Sequence, residues 1–139
     1  MRGCDNSSMT GGARLLASGV THLSADTLVF TTSDEKPAAL SIVLQGNGFV
    51  YGAVYGQGIR CVGGSLKRLY VKTASGGSIT APETGDVPVS AQSAAKGDTI
   101  LAGQSRWYLV YYRDPIVPGG CEAASTFNST QTGQVLWLP

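Results

Sequence analysis

Charge is scarce in this chain. Only 14% of its 139 residues are Asp, Glu, Lys or Arg, whereas soluble domains carry ~25%. The ten cationic residues are scattered among nine acidic ones, for a net charge of +1, and they form no basic stripe of the kind that binds nucleic acid. The longest apolar runs are about six residues, far short of the ~20 that a membrane-spanning helix needs. The sequence therefore predicts neither nucleic-acid binding nor membrane insertion.

Residue types that catalyse reactions or bind metals are also few. His22 is the only histidine, which leaves little material for a metal site, and we expect it at the surface. No serine lies in a Gly-x-Ser-x-Gly elbow, and no Lys-Ser/Thr of a phosphate-binding loop follows the glycine pairs. Glu83 and Asp86 are expected in a solvated loop, with a weak calcium site as the minority interpretation. The sequence predicts a protein that is not an enzyme and that has no cofactor and no metal.

What the chain does have is glycine and a short hydrophobic period. It contains 19 glycines, which suit the many turns of a β protein, and its apolar residues alternate with a period near two. We predict an all-β fold: a single-domain antiparallel β-sandwich of about eight or nine strands, stapled by a disulfide. The expected strands are Ala13–Ala17, Thr27–Thr31, Ala39–Leu44, Gly48–Tyr55, Leu66–Thr73, Val87–Ala91, Asp98–Leu101, Arg106–Arg113 and Gln134–Leu138.

Turns and boundaries follow from glycine and polar clusters. The strongest hairpin signal is Asn47-Gly48 between two β runs, because both residues tolerate the positive φ of a type I′ turn. Ser90–Lys96 is the one helical candidate. Residues 1–12 are predicted to be an N-terminal lead, and residues 13–139 the β-sandwich module.

The three cysteines cannot all pair within one chain. We predict a disulfide between Cys61 and Cys121, which lie in or beside β-rich segments; it would close a loop of about 60 residues and contribute roughly 4 kcal/mol. Cys4, in an irregular stretch, then pairs with a cysteine upstream in a longer precursor, pairs with another molecule, or remains free. A disulfide is typical of secreted proteins, although the residues after Met1 lack the apolar segment of a signal peptide.

Aromatic side chains are the remaining candidates for function. Tyr and Trp rings stack on sugar faces and anchor protein interfaces. Tyr51, Tyr55 and Tyr112 form the candidate aromatic platform. Trp107 and Trp137, which lie at strand spacing, are expected in the core.

Four short motifs stand out along the chain. They are Gly3-Cys4-Asp5-Asn6-Ser7, Arg60-Cys61-Val62-Gly63-Gly64, Tyr111-Tyr112-Arg113 and Thr126-Phe127-Asn128. Together they resemble a C-terminal β module of secreted proteins from planctomycetes, myxobacteria and related environmental bacteria. The family is uncharacterised, so the resemblance implies secretion and module status but no activity. It also implies that the partner of Cys4 lies in a cysteine-rich lead before the module.

The predicted function follows from these observations. Our leading hypothesis is a non-enzymatic, secreted extracellular module with a structural or adhesive role, which self-associates through uncovered edge strands. The alternative is a carbohydrate-binding module appended to a secreted hydrolase, with an extracellular glycan as its partner.

Overall fold

The computed structural model describes residues 1–116 and 126–139. Within these ranges the chain forms ten β-strands and one short helix, and the paired strands run antiparallel. The predicted all-β class is confirmed; three strands of only two residues raise the count above eight or nine. The strands are β1 (Arg14–Ser18), β2 (Thr21–His22), β3 (Ala25–Asp26), β4 (Val29–Ser33), β5 (Leu40–Tyr55), β6 (Gly58–Thr73), β7 (Thr80–Ala81), β8 (Ser105–Arg113), β9 (Phe127–Ser129) and β10 (Gly133–Leu136), and the helix is α1 (Val89–Ala95).

Two sheets enclose the main core. The smaller sheet has the order β1-β4-β7, and the larger has the order β10-β8-β5-β6, with β9 also pairing with β8. Phe30 and Ala81 from the smaller sheet are buried in one cluster with Val43, Tyr108 and Val110 from the larger. The alternation of β8 assigns Tyr108 and Val110 to this inner face, and leaves the opposite, outer face of the larger sheet for a separate cluster.

The C-terminal segment belongs to the core. β10 pairs with the start of β8, and the side chain of Trp137 is fully buried. The backbone N–H of Leu138 then donates to the carbonyl of Thr21 at 2.9 Å, and the N–H of Leu23 donates to the carbonyl of Leu138 at 2.8 Å. The prediction of a paired strand here is confirmed, and Trp137 is in the core as expected; the strand is Gly133–Leu136 rather than Gln134–Leu138, and Leu136 and Leu138 are exposed.

The predicted turn at Asn47-Gly48 is wrong. Both residues lie inside β5, which pairs with β6 in a hairpin of two 16-residue strands. The chain reverses instead at Gly56, which has a φ of +61° and begins the two-residue loop between Tyr55 and Gly58, as in a type II′ turn. Asn47 sits at an irregularity in the register, where its side-chain oxygen accepts a hydrogen bond from the N–H of Ser65 at 2.8 Å.

Glycines let this hairpin bend where its strands approach closely. A Cβ on Gly46 would clash with the carbonyl oxygen of Gly63, and a Cβ on Gly63 would clash with the side chain of Val50. Residues 47–64, which we call the distal hairpin, therefore fold back over the larger sheet. Val62 of the distal hairpin packs on Leu44 in the outer-face cluster.

The tip of the distal hairpin is fastened to the far edge of the sheet. The N–H of Gln57 donates to the carbonyl of Phe127 at 2.7 Å, and the N–H of Cys61 donates to the hydroxyl of Thr132 at 3.2 Å. The hairpin thus spans the outer face and covers the middle of it.

The single helix replaces one predicted strand. α1 confirms the helical candidate Ser90–Lys96, while the strands predicted at Val87–Ala91 and Asp98–Leu101 are wrong. Each of these segments buries an isolated apolar residue, Val89 or Ile100, and such short apolar runs do not distinguish a strand from a helix or a loop. No helix in the described ranges has the length and apolar character needed to cross a membrane.

The predicted N-terminal lead contains no strand but is packed against the module. Asn6 is fully buried, and its amide nitrogen donates to the carbonyl of Asp34 at 2.8 Å and to the hydroxyl of Tyr112 at 3.1 Å. The side-chain amide of Asn128 donates to the carbonyl of Asp5 at 2.8 Å. These hydrogen bonds attach the lead to the turn after β4, to β8 and to β9.

Candidate functional site

Tyr112 is not part of an exposed platform, and its assignment as a site residue is wrong. Its side chain is fully buried in a small cluster with Ala13 and Ala39, and its hydroxyl accepts the hydrogen bond from Asn6. Burial raises the pKa of this phenol. The alternation of β8 directs Tyr112 inward, so it serves to hold the N-terminal segment.

Tyr51 is the most exposed aromatic residue of the predicted platform. Residues 50–52 form a bulge opposite the single residue Cys61, and Gly52 adopts a φ of +58° there. The bulge leaves 95% of Tyr51 exposed, and Phe49 beside it is 48% exposed. Their rings meet edge to face with centroids 5.0 Å apart. The two rings therefore present an apolar edge to solvent, but they are not coplanar.

Tyr55 lies in a different cluster. Its half-buried ring meets Tyr111 at 5.4 Å and Phe127 at 4.9 Å, both edge to face. The guanidinium carbon of Arg60 lies 5.4 Å from the centre of the Tyr55 ring, within the range of a cation–π interaction. The structure thus separates the three predicted platform residues: one is buried, one is exposed at the bulge, and one belongs to an aromatic cluster.

The charged residues on the strands of the larger sheet are all positive. Its five strands contain no Asp or Glu. Among their cations, Arg106 forms an ion pair with Asp98 and Lys72 forms one with Asp86. The other four have no carboxylate partner among the described residues; they are Arg60, Lys67, Arg68 and Arg113.

An open groove of about 810 Å³ lies beside the distal hairpin. Its walls are mostly apolar: Phe49 and Ile59 from the hairpin, Trp107 from β8, and the N-terminal residues 1–4. Trp107, which was expected in the core, is only half-buried. The volume falls within the range of small-molecule sites.

The cysteines depart from the predicted pairing. Cys61 has a free thiol, so the predicted disulfide between Cys61 and Cys121 is wrong; Cys121 itself lies outside the described residues. Cys4 is disulfide-bonded, which contradicts a free thiol at that position. Cys61 lies in the wall of the groove. Its position on a β strand was therefore not sufficient to predict a disulfide.

The buried acidic residues accept hydrogen bonds from other parts of the chain. Asp98 accepts two hydrogen bonds from Arg106, at 2.7 and 2.8 Å. Asp114 accepts from the N–H of Ser7 at 2.9 Å. Glu35 accepts from the hydroxyl of Ser41, and burial raises the pKa of this carboxyl group. Each of these carboxylates fastens one segment of the chain to another.

The other predicted polar positions are in loops or at the surface. The exposed His22 has Nδ1 3.1 Å from the carbonyl oxygen of Pro139. Glu83 and Asp86 both face Lys72, at 3.4 and 2.5 Å. Among the described residues, no group of three His, Cys, Asp or Glu side chains is placed to hold a metal ion.

Two arrangements could not be read from the sequence. One is the approach of Tyr55 to Tyr111 and Phe127, which depends on the folding back of the hairpin. The other is the groove, which the N-terminal residues complete. A sequence signal did exist for the cationic surface around Tyr55: the strands of the larger sheet contain no acidic residue, although the charges of the whole chain nearly balance.

Comparison with protein families and with known proteins adds no relative. No family model matches this chain, and neither the curated proteins nor the solved structures contain a match. The resemblance to the secreted bacterial module therefore stays a prediction.

Proposed function

We propose that this chain is a non-enzymatic, secreted extracellular module with an adhesive or structural role. The observation that carries the proposal is the division of charged and aromatic residues between interior and surface. Buried acids such as Asp98 and Asp114 are engaged in hydrogen bonds within the fold, whereas Tyr51, Arg68 and Arg113 are exposed to solvent. Such a surface suits recognition of a partner better than catalysis, which needs acid–base or nucleophilic groups accessible to a substrate.

Adhesion to a different partner is better supported than self-assembly through strand edges. β6 is the edge strand of the larger sheet and carries Lys67, Arg68 and Lys72. Two copies paired along this edge would bring like charges together, and natural edges use such charges to prevent pairing. The side chain of Gln92 also covers part of the edge by donating to the carbonyl of Leu69 at 2.8 Å.

The disulfide at Cys4 supports the extracellular location, because disulfides persist in oxidising compartments. Carbohydrate binding remains a second candidate function. It is favoured by the edge-to-face cluster around Tyr55 rather than by the platform expected from the sequence.

The test is cosedimentation of the purified module with insoluble extracellular materials, namely cellulose, chitin, bacterial cell-wall sacculi and calcium-gelled pectin. We expect the module to bind at least one of these solids and to release no soluble sugar from it. Analytical ultracentrifugation of the module alone should show a monomer across the same concentrations. Absence of binding to every solid, or release of soluble product, would contradict the proposal.

A further inference from the structure

Two arginines without a carboxylate partner among the described residues share the outer face of the larger sheet. Arg68 lies directly opposite Leu44, whose side chain belongs to the outer-face cluster, and directly opposed residues share a face. Arg113 follows Tyr111 by two positions on β8 and so points to the same side. Both arginines are exposed.

A third arginine and three aromatic rings lie beside them. Arg60 comes from the distal hairpin and is held over Tyr55 while its Nη1 donates to the carbonyl of Val62 at 2.6 Å. The ring of Tyr55 contacts those of Tyr111 and Phe127. Burial raises the pKa of Tyr55 even though the nearby charges of Arg60 and Arg68 act to lower it. Cations and half-exposed rings therefore form one surface.

The spacing of this surface indicates an extended ligand. Arg68 and Arg113 lie two inter-strand spacings apart, with β5 between them, and four residues apart along the strand direction. With strands about 4.8 Å apart and about 3.3 Å per residue, their Cα atoms are roughly 16 Å apart. One small anion cannot contact both, whereas a polymer with an acidic group on its repeating units can.

We infer that this arginine–tyrosine face, formed by Tyr55, Arg60, Arg68, Tyr111 and Arg113, binds an acidic polysaccharide. The inference rests on the proposed adhesive function and names its partner. Arginine guanidinium groups form two-pronged hydrogen bonds with carboxylate and sulfate groups. The half-exposed rings offer apolar surface to the C–H faces of the sugar units.

Other acidic polymers fit this face less well. Arginine clusters also recognise acidic peptide motifs, but an acidic peptide has no C–H sugar faces to pack on the half-exposed rings of Tyr55 and Tyr111. A nucleic acid requires a strongly basic surface, and the net charge of the chain is +1. An acidic polysaccharide lying across the face satisfies both the charges and the rings.

The first experiment is native affinity electrophoresis in gels that contain polygalacturonate, dextran, poly-L-glutamate or single-stranded DNA. We expect polygalacturonate to retard the module at low ionic strength and dextran to leave it unretarded. Poly-L-glutamate and DNA should retard it more weakly than polygalacturonate at equal charge concentration. Retardation by polygalacturonate should weaken as salt is added, because charge pairs are screened.

Charge variants identify the face. R68Q and R113Q should each lower the affinity for polygalacturonate about threefold, and the double variant about tenfold, as expected for exposed charge contacts. R14Q is the matched control, since Arg14 is an exposed residue on β1 of the other sheet, and it should bind like the parent. The melting temperatures of all four variants should equal that of the parent.

A ring variant separates sugar recognition from simple charge attraction. Tyr55→Leu should weaken binding to polygalacturonate several-fold while leaving binding to poly-L-glutamate unchanged; Tyr111→Leu serves as a second variant if Tyr55→Leu fails to fold. The inference would be overturned if R14Q and R68Q lost equal affinity for polygalacturonate. It would also be overturned if the module bound poly-L-glutamate or DNA more tightly than polygalacturonate, or did not bind polygalacturonate at all. If the double variant R68Q/R113Q cosedimented with the other extracellular solids as well as the parent does, the inference about the face would be overturned. The proposed adhesive function would then still stand.

Discussion

The indole Nε1 of Trp137 donates a hydrogen bond to the hydroxyl of Tyr108 at 3.2 Å in the centre of the core. The hydroxyl of Tyr108 donates in turn to the side-chain oxygen of Gln45 at 2.9 Å. Gln45 then donates through its amide nitrogen to Ser93 of α1 at 2.7 Å and to Asp98 at 2.9 Å. A continuous buried chain of hydrogen bonds thus connects the end of the sequence to the helix through the middle strands of the larger sheet.

Replacing Trp137 should be among the most destabilising single changes. Trp137→Ala removes a large, fully buried side chain and should lower the free energy of unfolding by about 3–5 kcal/mol. Tyr108→Phe should cost about 1–3 kcal/mol, because the indole N–H and the oxygen of Gln45 lose their partner. Urea unfolding followed by circular dichroism measures both values.

Trp107→Phe is the control for these variants, because Trp107 is only half-buried in the groove wall, and its cost should be clearly smaller than that of Trp137→Ala. Deleting residues 135–139 should abolish cooperative unfolding altogether. A deletion variant that stays monomeric and cooperatively folded would contradict the role of the C-terminal strand in the core.

The ion pair between Asp98 and Arg106 should be sensitive to removal of one partner. Arg106→Met leaves the buried carboxylate of Asp98 without its cation and should cost about 3–5 kcal/mol of unfolding free energy. Lys72→Met removes a cation from the more exposed pair with Asp86 and should cost about 0–1 kcal/mol. Equal losses in urea unfolding would show that burial does not distinguish the two pairs.

Glu35 should make the protein less stable as the pH rises. Burial raises its pKa in the folded state above the ordinary value of 4.5, so the unfolded state loses its proton first. The stability contributed by the protonated form is complete below pH 4.5 and is lost as the pH rises through the folded-state pKa. Glu35→Gln removes this titration and should therefore gain stability relative to the parent over the same pH interval.

The measurement is urea unfolding of both proteins at half-unit pH steps from 4 to 8. The difference in unfolding free energy between them should change over that interval and then level off. A constant difference across this interval would rule out a raised pKa of Glu35 in the folded protein.

The cysteines should differ in their reaction with iodoacetamide. We expect the denatured but unreduced protein to be alkylated at Cys61, which has a free thiol. The Cys4 peptide should become alkylated only after reduction, because Cys4 is disulfide-bonded. Peptide mapping by mass spectrometry distinguishes these outcomes, and alkylation of Cys4 before reduction would contradict the assignment.

Local patterns in the sequence were sufficient for the fold class and for much of the core. The two-residue period of Arg106–Arg113 identified a central strand covered on both faces, and the same alternation indicated a paired strand near Gln134–Leu138, which the structure gives as Gly133–Leu136. Alternation is a property of the backbone itself, so it can be read without knowledge of the partners. The Ala-rich run after Pro88 likewise identified the only helix in the described residues.

Only the tertiary structure decided how the long hairpin is arranged. Asn47-Gly48 has the composition of a tight turn, yet Asn47 lies where Ser65 on the opposite strand provides a hydrogen-bond partner, and the strand continues. The bend at Gly46 and Gly63 depends on close contact between residues 17 positions apart, which no local pattern encodes.

The candidate site follows from that bend. The sequence determined which residues are aromatic, cationic or capable of forming a disulfide, but their grouping required the folded chain. Tyr55 reaches Tyr111 because the hairpin folds back, and the same fold places Cys61 in the groove wall. Tyr112, one position from Tyr111, is buried because adjacent residues of a strand face opposite sides of the sheet.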